Sequence, residues 1–574
     1  MATQQVLFRK IITERNILLK TSDGTILESD IYRPDVDGQF PALIIRLPYD
    51  KSVAQSYTEP HPIWLARNGY VVITQDTRGR FLSGGEFYPM KYEAKDGYET
   101  IQWAAQLPYC DGKVGTYGFS YSGMNQLLSA ALQPPALKAI APAFTGSDLY
   151  ENWHYTGGAF NLAFNATWAI YLAIETAAKK GLPELSTRLA KANREFPERF
   201  WTLPVSEIFS SKEFAQVAPY YYDWLAHPSR DDYWKSVSVQ DQYSQIKTPS
   251  LHLGGWYDSF IEGTLRNYMN LKAIGAAQQR LVVGPWYHMP WSTLVGQVDF
   301  GAGAKNILAD YQVAWFDYHL KGIQSDLMDL PPVRLFVMGE NHWRDETSWP
   351  LPNAKITKFY LHSQGRANSI SGNGSLSQEF PDDELPDVFA YDPNDPIPSA
   401  GGRSNSSPER TPMGPQDQRP IEIRNDILIY TTEPLEHDVE VTGPVSAVLW
   451  ASSSGKDCDF TVKLVDVFPD GRSINLPDGI IRARYREGFE RASPIEPDRV
   501  YRYEIQVGAT SNRFFAGHRI RIHVSSCSFP LYDRNPNSGR SISTSDGSDF
   551  QVVTQTIFHE PNYPSCIILP LIPS

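Results

Sequence analysis

Short apolar runs alternate with helix-like segments over the first 145 residues or so. Residues 41–46, 70–75, 113–117 and 137–141 each carry the short apolar run of a buried strand. Helical periodicity lies between them, as at 93–106. Strands alternating with helices predict βαβ units and a mostly parallel sheet. From about 148 to 240 the texture changes. Residues 161–194 are rich in Ala, Leu, Glu and Lys and predict helix with no strand signal. The βα pattern then resumes, with strand runs at 250–253, 280–283 and 333–337 and a helix at 309–320. A helical cap inserted into a doubly wound α/β domain is the economical reading.

Beyond about residue 352 the pattern turns again. Residues 363–420 are heavy in Ser, Gly, Asn, Asp and Pro and predict coil. Short β-rich runs follow at 426–430, 446–450, 460–467, 480–485, 501–507, 519–524 and 566–569, with turn residues between them. Serial strands without helices predict an all-β sandwich, a jelly roll in topology. The expected division is 1–147 (core, first part), 148–241 (cap), 242–352 (core, second part) and 353–574 (jelly roll).

Length supports more than one core, since 574 residues exceed the roughly 250–300 that one core serves. A net charge of −13 argues against nucleic acid as a partner. No run approaches the ~20 apolar residues of a membrane span, and residues 1–10 lack an apolar signal core. Cys110, Cys458, Cys527 and Cys566 are dispersed, without metal-ligand spacing. The expectation is a cytoplasmic protein with no metal and no cofactor.

Three polar residues stand just past predicted strands. Gly118-Phe119-Ser120-Tyr121-Ser122-Gly123 joins a strand to a helix-like segment at 124–131. That is the setting of a nucleophile elbow, where small residues flank a strained serine. Gly118 fits, whereas Ser122 stands where the strict pattern has glycine. Asp258 follows Gly254-Gly255-Trp256-Tyr257, and His288 follows Gly284-Pro285-Trp286-Tyr287. Serine, then aspartate, then histidine is the chain order of an α/β-hydrolase triad. Singly, Asp258 reads equally as a helix cap and His288 as a loop histidine bonded to a carbonyl. Tyr49, in Leu47-Pro48-Tyr49-Asp50-Lys51, is either an exposed turn residue or an oxyanion donor beside the N–H of Tyr121. Asp76-Thr77-Arg78-Gly79 predicts a buried Asp–Arg pair that shapes a loop.

Together these strings resemble the cocaine-esterase family, kin of X-prolyl dipeptidyl-peptidases and α-amino-acid ester hydrolases. Further likenesses are Val333-Arg334-Leu335-Phe336-Val337-Met338-Gly339, the run from Lys463 to Gly471 and Ala509-Thr510-Ser511-Asn512. The resemblance runs nearly end to end. It implies an α/β-hydrolase core with an inserted helical cap and a C-terminal jelly roll. It implies Ser120, Asp258 and His288 as the triad, and the Tyr49 hydroxyl with the Tyr121 N–H as the oxyanion hole. Trp168 and Phe260 map to its pocket aromatics. Where the family sets a cap tryptophan against the ligand, this chain aligns His154, with Trp153 adjacent, which implies a more polar acyl pocket. The implied activity is hydrolysis of a small-molecule ester through an acyl-enzyme. An amide-cleaving relative of acylase or dipeptidyl-peptidase type is the nearer alternative, although the acidic grip for a substrate amine is not evident. A carbohydrate-binding protein with an idle hydrolase core is the remote one. A homodimer is expected by analogy alone.

Overall fold

The alternating pattern folds into one ten-stranded sheet. The structure, a computed structural model, describes residues 7–55, 60–209, 211–405 and 409–573. Residues 1–6, part of the segment read above for a signal core, lie outside the described residues. The strands are β1 Ile11–Lys20, β2 Ile26–Pro34, β3 Phe40–Leu47, β4 Val71–Asp76, β5 Cys110–Phe119, β6 Leu137–Ala143, β7 Ser250–Gly255, β8 Gln279–Gly284, β9 Val333–Val337 and β10 His342–Glu346. Their order is β1-β2-β4-β3-β5-β6-β7-β8-β9-β10. The sheet is parallel from β4 through β9 and antiparallel at both ends. Its central strands are buried on both faces, which is why they read as largely apolar runs. The antiparallel strands β1, β2 and β10 were not singled out from the sequence. β1 and β10 lie at the sheet edges and are half-exposed, so their apolar signal is diluted by polar residues.

Between β6 and β7 the chain leaves the sheet and forms a helical layer. Its main helices are Leu162–Lys179, Pro183–Asn193, Ser211–Val217 and Pro219–Ala226. The helix expected over 161–194 is two helices, broken at Gly181 (φ 72°) and restarted by Pro183 at its first turn. A two-residue strand pair, Tyr155–Thr156 with Ala159–Phe160, also breaks the expectation of helix alone. Gly157 and Gly158 make its turn with positive φ.

The C-terminal part is β-rich, as expected, with twelve strands joined through one set of ladders. Its long central strand, Val439–Ser453, pairs with Tyr501–Phe514 in thirteen register positions broken by one bulge. The stretch expected as coil holds two short strands, Ser375–Ser377 and Asp387–Tyr391. The second alternates buried and exposed residues over five positions, too few to stand out among turn residues. Among the described residues no helix is long and apolar enough to cross a membrane.

Candidate active site

Ser120 sits at the carboxyl end of β5, between that strand and the helix Tyr121–Ala131, at φ 60° and ψ −123°. Few non-glycine residues tolerate such torsions, and here the surroundings enforce them. The Ser120 N–H donates to Ala143 O at 2.9 Å, and Thr145 Oγ1 donates to Ser120 O at 2.8 Å. Gly118 has φ 131°, and a Cβ there would lie 2.6 Å from Ser122 Cβ. The serine at 122 fits because its hydroxyl donates to Arg46 O at 2.8 Å. The close helix–strand approach falls instead at Gly123, where a Cβ would come within 2.7 Å of Thr145 Cβ and 2.8 Å of Ala143 O.

Asp258 and His288 follow β7 and β8, which are hydrogen-bonded neighbours. His288 Nδ1 lies 2.8 Å from Asp258 Oδ1, with Asp258 fully buried and His288 nearly so. A carboxylate accepts, so Nδ1 donates this hydrogen bond. The imidazole is walled by Phe119 and Phe260 at ring distances of 5.5 and 5.2 Å. Asp258 therefore spends its side chain on His288 and not on capping the following helix, Ile261–Ile274, whose start has no side-chain cap.

Ser120 and His288 line one cavity of about 520 Å³, together with Tyr49, Trp153, Trp168 and Phe119. Tyr49 follows β3. Its hydroxyl oxygen accepts from Trp168 Nε1 at 3.0 Å. Burial pushes the Tyr49 pKa well above its ordinary value, with the Trp168 hydrogen bond opposing. The phenol is therefore neutral and retains a proton to donate. Tyr121 supplies the first N–H of its helix, one of the four without an intrahelical acceptor. Its own side chain points the other way, donating to Glu93 Oε1 at 3.0 Å in a buried group with Arg46.

Two basic residues that the sequence reading passed over fix the Tyr49 loop. The Lys51 backbone N–H donates to Asp76 Oδ1 at 2.6 Å, and its ammonium lies 3.5 Å from Asp76 Oδ2. Arg80, fully buried, donates to Pro48 O at 2.7 Å and to Thr176 Oγ1 at 2.8 Å. It thereby joins the loop that carries Tyr49 to the helix that carries Trp168. The expected Asp76–Arg78 pair does not form. Arg78 turns away to grip Asp96 through two nitrogens, at 2.9 and 2.6 Å, while Asp76 serves Lys51. Proximity in sequence gave no sign of these partners, which come from other elements.

The expected pocket aromatics separate into two layers. Trp153 and Trp168 line the cavity. Phe260 stands behind Trp153 at a ring distance of 4.3 Å and meets the His288 ring edge-on. His154 is not at the cavity wall, contrary to expectation. It is buried, stacked on Trp224 at 4.0 Å, with Nδ1 2.6 Å from Asn165 Oδ1. Burial pushes its imidazole down to about 3, so the ring is neutral. Trp153, its neighbour in sequence, lines the cavity where His154 does not.

The family described as X-Pro dipeptidyl-peptidase (S15 family) matches residues 23–290, and its C-terminal non-catalytic domain matches 325–568. The chain is 40% identical to the cocaine esterase of Rhodococcus sp. (strain MB1 Bresler) over 97% of this chain and 98% of that protein. An α-amino-acid ester hydrolase structure superposes with a TM-score of 0.79 at 24% identity, covering 100% of this chain and 98% of that one. An aminopeptidase from a marine sediment archaeon, Thaumarchaeota archaeon, gives 0.81 at 24% identity, with the same coverage. These two likenesses concern the fold. By its sequence, end to end, the chain belongs to the cocaine-esterase family of α/β-hydrolase serine esterases, kin of the S15 X-Pro dipeptidyl-peptidases.

Proposed function

We propose that the chain hydrolyses carboxylic esters through an acyl-enzyme on Ser120. The observation that carries this is the buried Asp258–His288 hydrogen bond of 2.8 Å, with His288 and Ser120 opening on the same aromatic cavity. Ser120 Oγ attacks the ester carbonyl carbon and passes its proton to His288 Nε2. Asp258 fixes the ring and stabilises the imidazolium. The oxyanion takes one hydrogen bond from the Tyr49 hydroxyl and one from the Tyr121 N–H. Collapse breaks the bond to the alcohol, which leaves with the proton from His288. Water then repeats the sequence on the acyl-serine and releases the acid.

Trp168 gives Tyr49 its direction. An indole N–H only donates, so the Tyr49 oxygen is engaged as acceptor and its own proton points elsewhere. No carboxylate is among the described residues that line the cavity, so a substrate amine lacks an acidic grip there. This favours simple esters over aminoacyl or Xaa-Pro substrates.

The test is turnover of p-nitrophenyl acetate by wild type and Ser120→Ala. Removal of the nucleophile is expected to cost on the order of 10⁴–10⁶ in kcat. Wild-type rates in Ser120→Ala would refute the assignment.

A further inference from the structure

The walls of the active-site cavity are aromatic and aliphatic on the sheet and cap sides, but one rim is different. Asn193, Asn405 and Arg410 line it, and Arg410 is the one permanently charged group among the described lining residues. The guanidinium is held in place: Nη2 donates to Asn193 O at 2.8 Å and to Asn193 Oδ1 at 3.0 Å, and the group lies over the Phe196 ring at 5.6 Å. These partners fix its direction without neutralising it. Among the described residues no carboxylate forms an ion pair with Arg410. Glu409, its exposed neighbour in sequence, favours the charge electrostatically, and burial outweighs that help. A half-buried cation beside an apolar cavity attracts an anion, and a planar fork suits a carboxylate.

Resting on the esterase reading above, we infer that Arg410 is a specificity-determining residue that binds a carboxylate on the substrate, remote from the scissile ester. The substrate class is then an ester with a free carboxylate, carried on either the acyl or the alcohol part. The fixed nitrogen at Asn193 leaves Nε and Nη1 for the ligand. Trp153 and Trp168 hold the apolar segment between the carboxylate and the ester.

The experiment compares matched esters on the full chain. Monomethyl adipate against methyl hexanoate reads the acyl arm. The para-carboxyphenyl ester of butyric acid against its para-tolyl ester reads the alcohol arm. At least one carboxylated ester is expected to exceed its neutral match in kcat/KM. Arg410→Gln is expected to lower that advantage by about tenfold or more, mainly through KM, the scale of one hydrogen bond to a charged group. The neutral esters are expected to keep their rates, and Arg410→Lys to recover part of the advantage. Carboxylated esters turned over no faster than their matches, or equal slowing of both by Arg410→Gln, would overturn the inference. Ser120→Ala on the neutral esters separates the two readings. If it abolishes their turnover while no carboxylate preference exists, only the Arg410 assignment falls. If it leaves their turnover intact, the esterase reading falls as well.

Discussion

Tyr49 and Trp168 meet through one hydrogen bond, and its polarity sets what each does. Deleting the Tyr49 hydroxyl by Tyr49→Phe removes the proposed oxyanion donor and is expected to lower kcat by about 10²–10³, with KM little changed. Trp168→Phe keeps an aromatic wall but frees the hydroxyl to rotate. It is expected to lower kcat less than Tyr49→Phe does, and the double variant to show no further loss from the second change. Additive losses in that cycle would separate the two residues. At this scale the strand-end positions of Ser120, Asp258 and His288 were legible because each follows a readable strand. Tyr49 needed the family resemblance to rise above a turn tyrosine. Lys51 and Arg80 were invisible, since their acceptors on Asp76, Pro48 and Thr176 come from separate segments of the chain. His154 was misjudged for the same reason. A residue aligned with a pocket position turns inward when Trp224 and Asn165 offer it a stack and a hydrogen bond.

The proposed chemistry depends on the elbow at Ser120. Gly118→Ala adds a Cβ within 2.6 Å of Ser122 Cβ at a backbone φ of 131°. Backbone strain alone is worth about 1–3 kcal/mol, so a lower Tm and a near-inactive enzyme are expected together. The cap has its own signature, in acid. Burial pushes the His154 imidazole from 6.5 down to about 3. Between those values the unfolded chain binds a proton that the folded chain refuses. The contribution is therefore complete above about pH 6.5 and is lost as pH falls towards about 3. His252 and His319, each lowered to about 4 by burial, act in the same direction. Thermal melts are expected to fall steadily below pH 6.5, and His154→Gln to flatten that slope. Parallel profiles for the two proteins would show that His154 does not contribute. The buried central strands were legible as short apolar runs, whereas β1, β10 and Asp387–Tyr391 were not. Half-exposed edges and five-residue strands carry too little period to be read.

One buried apolar cluster runs through the whole molecule, from Ile31 in the sheet through Trp168 in the cap to Leu569 near the end of the described chain. The division proposed at 147/148, 241/242 and 352/353 therefore cuts through shared core. The C-terminal part also reaches the site: Tyr257, the residue before Asp258, donates its hydroxyl to Asn475 O at 2.9 Å. Phe160 in the cap donates its backbone N–H to Asp533 Oδ1 at 2.7 Å. A single calorimetric transition is expected for the full chain, and a version ending at residue 352 is expected to aggregate. Two separated transitions would show independent units. The class of the C-terminal part was legible from its serial strands, but its grip on the loop that carries Asp258 was not, because these contacts join positions hundreds of residues apart. The central claim remains the covalent one, that Ser120 carries the acyl group between the two half-reactions. The most direct measurement is an acid quench of the enzyme turning over p-nitrophenyl acetate, followed by peptide mass spectrometry. The expected result is a transient gain of one acetyl group on the peptide that holds Ser120, absent in Ser120→Ala and longer-lived in His288→Gln. Turnover with no acetyl on that peptide at any quench time, or acetyl on another residue that disappears at the catalytic rate, would contradict it.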